Sequence, residues 1–170
     1  MEIIIRPAIE GDIPRLTEIY NHHIEHGHST FQLQLTTNES QLESFKNSSL
    51  TGPYQTLVAT RNETVLGKAS SFRYRDGKVF EKTVETGIYL DPQIIGQGVG
   101  TLLYQSLFDR LSKENLHLAV AGIALPNNGS VGLHRKMGYR EVGVFDEYAY
   151  VKGKYYSSVW MQKRLDMPTL

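Results

Sequence analysis

The chain contains no cysteine in its 170 residues. That excludes disulfides and any acyl-cysteine intermediate, and it fits a cytoplasmic protein. It also lacks a charge bias, since 18 Lys and Arg balance 18 Asp and Glu. With no basic run, the electrostatic footprint of a nucleic-acid-binding protein is missing. No stretch approaches the ~20 apolar residues of a membrane span. The start, Met1-Glu2-Ile3-Ile4-Ile5-Arg6, lacks the apolar core of a signal peptide. Neither nucleic acid nor membrane is therefore expected as a partner. No repeat, low-complexity tract or linker interrupts the sequence, so residues 1–170 are expected to form one domain.

Metal chemistry has little to stand on. His22 and His26 share a helical face beside His23 and His28, but the sequence has no His-Glu-x-x-His pattern and offers no evident third ligand. Asp12 before Ile13-Pro14 marks a helix start instead, with Ile13, Leu16, Tyr20 and Ile24 as its buried stripe. No metal is expected.

What remains is an ordinary globular composition, 40% hydrophobic and 21% charged. The coarse order is a strand at Ile3–Arg6, then helices at Asp12–Glu25 and Thr37–Asn47. Strands at Tyr54–Arg61 and Thr64–Tyr74 read as a hairpin turning at Asn62-Glu63. A strand from Val84 to Leu90 leads to a glycine turn and a helix. The strand Leu118–Ile123, the helix Gly129–Met137 and strands near Tyr139–Phe145 and Tyr155–Leu165 complete the chain. Hairpins followed by a strand-helix-strand crossover predict an α/β fold, a mixed sheet flanked by helices.

The most informative run is Leu90-Asp91-Pro92-Gln93-Ile94-Ile95-Gly96-Gln97-Gly98-Val99-Gly100-Thr101. Three alternating glycines strip side chains from the start of a helix whose apolar face is Val99, Leu102, Leu103, Leu107 and Leu111. The first amides of that helix have no partner within it and sit at the positive end of its dipole, a place built for phosphate oxygens. It is not a dinucleotide fingerprint, because Thr101 stands where the third glycine belongs, nor a P-loop, because no Gly-Lys-Ser/Thr follows.

Downstream, Leu125-Pro126-Asn127-Asn128-Gly129-Ser130-Val131-Gly132-Leu133-His134 precedes Gly138-Tyr139. Together the two segments resemble the GNAT superfamily of N-acetyltransferases. Ile5-Arg6-Pro7-Ala8 through Asp12, Ile19-Tyr20-Asn21-His22, Thr30-Phe31, Thr83-Val84-Glu85 and Ile88-Tyr89-Leu90 are similar to its phosphinothricin and methionine sulfoximine acetyltransferase branch. The likeness runs from Ile4 to about Leu165. It departs at Ile95, where the pyrophosphate loop usually has Gln or Arg, and at Gly153-Lys154-Tyr155-Tyr156-Ser157, where relatives commonly carry Gly-x-Trp-x-Asp.

The resemblance implies a GNAT-like, mostly antiparallel sheet and direct acetyl transfer from acetyl-CoA to the amine of a small amino acid or analogue. It implies that acetyl-CoA meets Ile88, Tyr89, Leu90, Ile95, Gly96, Gln97, Gly98, Val99, Gly100, Thr101, Asn127 and Lys136. The acceptor is expected near Phe31, Arg73, Arg75, Glu85 and Thr86; a bidentate arginine suits a carboxylate. Glu85 stands where the family has its base, and His134 where the superfamily often has a tyrosine that protonates the leaving thiolate. Histidine titrates near neutrality and suits that task, although a packing role fits it equally. A homodimer is implied as well, with Tyr155 to Met161 as candidate contact surface. Two other functions stay open on the same fold: a non-catalytic acyl-CoA sensor and a protein or peptide N-acetyltransferase.

Overall fold

The computed structural model describes residues 2–165. Seven strands form one sheet in the order β1-β2-β3-β4-β5-β7-β6. They are β1 (Ile4–Pro7), β2 (Thr56–Arg61), β3 (Thr64–Arg73), β4 (Thr83–Leu90), β5 (Leu118–Ala124), β6 (Arg140–Val151) and β7 (Lys154–Arg164). Every pairing is antiparallel except β4 with β5. Between those two runs α3 (Val99–Leu111), the crossover that parallel neighbours require. The mixed, mostly antiparallel sheet expected from the sequence is present.

Local chemistry explains the elements. Asn62 and Glu63 both adopt positive φ, 49° and 64°, the geometry a two-residue hairpin between twisted strands demands. Pro14 sits in the first turn of α1 (Ile13–His26), where its missing N–H costs nothing. The Thr37 hydroxyl accepts from the Ser40 amide and caps α2 (Asn38–Phe45). Asn127 does the same for α4 (Asn128–Lys136), accepting from the Ser130 amide at 3.1 Å.

Two apolar clusters hold the layers. On one face α3 lays Val99, Leu103, Leu107 and Leu111 against Leu57, Ala59, Val84, Ala119 and Met161. Tyr104 is fully buried there, whereas Leu102, expected on that stripe, is 40% exposed. The difference is rotational: Tyr104 turns its hydroxyl toward α4, and Leu102 faces outward. On the opposite face Leu16 and Ile19 of α1 pack on Val58, Val65 and Tyr89. At Gly67 a side chain would lie 2.6 Å from the Tyr89 carbonyl oxygen, so glycine alone lets β3 approach β4 there.

The candidate dimer surface moves. Val159 and Met161 are core residues, because β7 is sandwiched between β5 and β6. In this part of the chain the exposed apolar groups lie on the edge strand β6 (Val142, Val144, Phe145, Tyr148 and Tyr150), joined by Tyr155 at the start of β7. Among the described residues no helix is long and apolar enough to cross a membrane.

Candidate active site

The site begins where β4 and β5 part. Their ladder pairs Thr83 with Leu118, Val84 with Ala119 and Glu85 with Val120, and then stops. Each strand stays bonded on its outer side, β4 to β3 as far as Leu90 and β5 to β7 as far as Ala124. Their inner edges therefore face one another across a fork. A cleft of about 460 Å³ fills it, lined by residues of both edges, by the glycine turn and by α4.

Two helix N-termini open onto this cleft. Gly96 and Gly98 have φ of 84° and 83°, and a side chain built on either would meet open space within 4 Å. The amides of Gly96, Gly98, Val99 and Gly100 find no acceptor among the described residues, as expected where a helix begins. Gly100 has a second reason for its identity, since a side chain there would approach Leu133 at 3.0 Å. Asn127, Gly129 and Ser130 bring the start of α4 to the same space, and the Lys136 ammonium stands by the Thr101 hydroxyl at 3.4 Å. Free amides, two aligned dipoles and a rim cation suit a pyrophosphate.

Of the twelve residues expected at the cofactor, ten line this cleft. Val99 is buried in the core, so only its amide is available to a ligand. The Gln97 side chain turns back to donate to the Gln93 carbonyl. Ile95 is 57% exposed and lines the cleft without a polar group to offer. The structure adds His23, whose Nε2–H donates to the Leu90 carbonyl at 2.8 Å while Ser29 donates to Nδ1. That pair ties α1 to the end of β4. It was invisible in the sequence, where His23 is one of four neighbouring histidines.

At the apex lies a buried polar chain. The Thr86 hydroxyl meets the Tyr139 hydroxyl at 2.7 Å and donates weakly to the Val120 carbonyl. His134, only 3% exposed, donates from Nδ1 to the Ser130 carbonyl at 2.8 Å. A carbonyl only accepts, so Nε2 is the acceptor for the Tyr104 hydroxyl at 2.9 Å. Burial holds the His134 pKa below the usual histidine range, with the Ser130 carbonyl partly opposing it. Burial and the Tyr104 hydrogen bond to Nε2 both favour the neutral ring.

Alternation along β4 sends Glu85 to the other face, with Gly87 and Tyr89. Glu85 stands opposite Phe72 on β3 and Val120 on β5, half-buried and without a partner among the described residues. Desolvation alone raises its pKa. Trp160 lies on this face too, packed over Gly122, and its indole N–H is buried without an acceptor among the described residues. A second cavity, about 810 Å³, opens here between α1, α2 and the sheet. Gly87 and Tyr89 border both spaces, so the cleft and this cavity flank the same stretch of β4, two residues beyond Glu85.

The expected acceptor residues do not form one cluster. Thr86 lines the cleft and Arg73 lines the second cavity, ion-paired to Asp76 at 3.0 Å. Arg75 stacks over Tyr74 and Phe80. Phe31 packs edge-on against Tyr148 of β6, 5.7 Å between centroids. Glu85, Arg75 and Phe31 line neither space.

Comparison with known proteins agrees with this geometry. Residues 16–139 match the Acetyltransferase (GNAT) family. The chain is 39% identical over 166 residues to a phosphinothricin N-acetyltransferase of Streptomyces coelicolor, covering 96% of this chain and 97% of that one. It is 31% identical to an L-methionine sulfoximine/L-methionine sulfone acetyltransferase of Salmonella typhimurium, covering 95% and 94%. Among solved structures, yncA of Salmonella typhimurium with its cofactor acetyl-CoA superposes with a TM-score of 0.91 at 29% identity, covering 99% and 96%. The chain belongs to the GNAT acetyltransferase family. It is an acetyl-CoA-dependent N-acetyltransferase.

The buried histidine gives a direct test. NMR titration should show the His134 ring neutral, with the proton on Nδ1, until the pH falls below the ordinary histidine range. Tyr104→Phe should raise that midpoint, because the donor favouring the neutral ring is gone, and should cost about 1–2 kcal/mol of stability. An unchanged midpoint with unchanged stability would show that the Tyr104–His134 bond does not form.

Proposed function

We propose that this single-domain enzyme acetylates the α-amine of a small amino acid or amino-acid analogue, of the phosphinothricin or methionine sulfoximine type. One observation carries the reading: the β4–β5 fork opens immediately past Glu85, and a phosphate-suited cleft and a second, polar cavity both border β4 at Gly87 and Tyr89. Similarity to relatives with those two activities supports the substrate class. A cavity roofed by α1 and α2 favours a small acceptor over a folded protein.

Bound along the cleft, acetyl-CoA supplies an activated thioester. The glycine-turn amides and Lys136 hold its pyrophosphate, and the β4 edge from Thr86 to Leu90 fixes the arm that follows. The acceptor enters from the α1–α2 face. Glu85, made more basic by burial, takes the ammonium proton directly or through water, so the amine lone pair can form the N–C bond as the C–S bond breaks. The sulfur departs as a thiolate and takes its proton from water; His134, on the opposite face of β4, keeps its own proton and orients the Ser130 hydroxyl to donate a hydrogen bond toward the sulfur. Its neutral ring is backed by the Tyr104 hydroxyl, and the Ser130 hydroxyl, 3.4 Å from Nδ1, lines the cleft between them. The absence of cysteine leaves direct transfer as the route.

Glu85→Gln should keep acetyl-CoA affinity and lower kcat by roughly 10²–10⁴-fold. A raised carboxyl pKa sets an acid limb: wild-type kcat/KM should fall as pH drops through it, and Glu85→Gln should lose that limb. The deficit should narrow at alkaline pH, where more acceptor amine is already free. Full activity in a folded Glu85→Gln protein would remove Glu85 from the mechanism.

We further propose a cytoplasmic homodimer. A twelve-residue edge strand with five exposed apolar side chains is a surface that soluble chains seldom leave bare. Light scattering should give about twice the 19.3 kDa chain mass, and Phe145→Glu with Tyr150→Glu should return the chain mass. A monomer at every concentration would sink the idea.

A further inference from the structure

The second cavity holds a cation that the proposed mechanism leaves unused. Lys68 projects from β3 on the α1–α2 face, between Val58 of β2 and Tyr89 of β4 in the sheet register. Val58 is fully buried, and Lys68 itself is half-buried. Its ammonium has one partner among the described residues, the neutral Gln41 side-chain oxygen at 3.4 Å. Among the described residues no carboxylate reaches it. Burial accordingly lowers its pKa.

A long, flexible lysine normally carries its charge out to water or to a carboxylate. Here the surroundings are apolar strand neighbours and a cavity wall. The cavity's other charged residues, Arg73 and Asp76, are already paired with each other. Hydroxyl groups of Thr56, Ser70 and Ser44 also line the space. The lining therefore offers one unneutralised positive charge, with hydroxyls beside it, and no matching anion of its own.

The register fixes where that charge stands relative to the reaction. Lys68 pairs with Tyr89, Ser70 with Gly87 and Phe72 with Glu85. Lys68 is thus four residues, about 13 Å, from the Glu85 pair along β3. Gly87, which borders both the cavity and the cleft, lies midway. An amine delivered at Gly87 leaves about 7 Å of strand length toward Lys68, comparable to the reach of a glutamate-length side chain.

We infer that the cavity selects an acceptor amino acid with a second anionic group at the end of its side chain, and that Lys68 is the residue that receives that group. The inference rests on the amino-acid N-acetyltransferase reading and refines it from a substrate class to a charge pattern.

Two acceptors of similar length separate the possibilities. Phosphinothricin ends in an anionic phosphinate and methionine sulfone in a neutral sulfone. Steady-state kinetics and calorimetry, the latter with CoA present, would be run on the wild type and on Lys68→Met. Lys68→Met should lower both kcat/KM and affinity for phosphinothricin by roughly 10- to 100-fold, chiefly through KM, and change methionine sulfone by less than about threefold. Equal losses for both acceptors would mean that Lys68 holds the shared α-carboxylate or the local fold, and the inference would fall. It would also fall if neither acceptor lost affinity. If the wild type acetylated neither compound, the acceptor reading itself would fail, while the calorimetric comparison would still decide whether Lys68 binds the terminal anion.

Discussion

The early end of the β4–β5 ladder is the constraint on which the site depends. Three residue pairs join the strands, and past Glu85–Val120 they separate. An open strand edge in a sheet interior is costly unless something satisfies its polar groups. Here α3 and α4 prop the gap from one side, Gly100 packing against Leu133 and His134 bonding Tyr104, while His23 ties Leu90 from the other. The fold thus maintains a gap with two backbone edges, and an extended ligand arm fits where a strand would otherwise lie.

That gap also separates the chemistry onto two faces of one strand. Val84, Thr86 and Ile88 look toward α3 and α4; Glu85, Gly87 and Tyr89 look toward α1 and α2. Glu85 on one face and His134 on the other therefore do not compete for the same space. At Gly87 the Phe72 ring of β3 stands 3.5 Å from where a side chain would begin. Both titrating groups are tuned by desolvation rather than by ion pairs, Glu85 upward and His134 downward. Each is thereby shifted toward its uncharged form.

Much of this was legible before any coordinates. The alternation of Val84 to Leu90, the three glycines, the Asn62-Glu63 turn and the Asn127 cap are local signals, and each appears where the pattern put it. Features set by register or rotation were not legible. The choice of Tyr104 over Leu102 for the interior depends on the rotation of α3, and Lys68 looks like any strand lysine until Tyr89 and Val58 are placed beside it. Tyr155 to Met161 read as contact surface because three of its seven residues are aromatic, yet the position of β7 inside the sheet buries Val159 and Met161. Sequence spacing also could not say that Arg73 and Arg75 would diverge, one toward Asp76 and the other onto Tyr74.

The central claim is that the fork, together with the glycine turn at its mouth, receives acetyl-CoA. Hydrogen–deuterium exchange with and without acetyl-CoA tests it most directly, since the claim concerns backbone amides. Exchange should slow in peptides covering residues 86–90 of β4 and the turn from Gly96 to Thr101, with β1 and β2 unchanged. Saturating acetyl-CoA that protected neither segment would contradict the account.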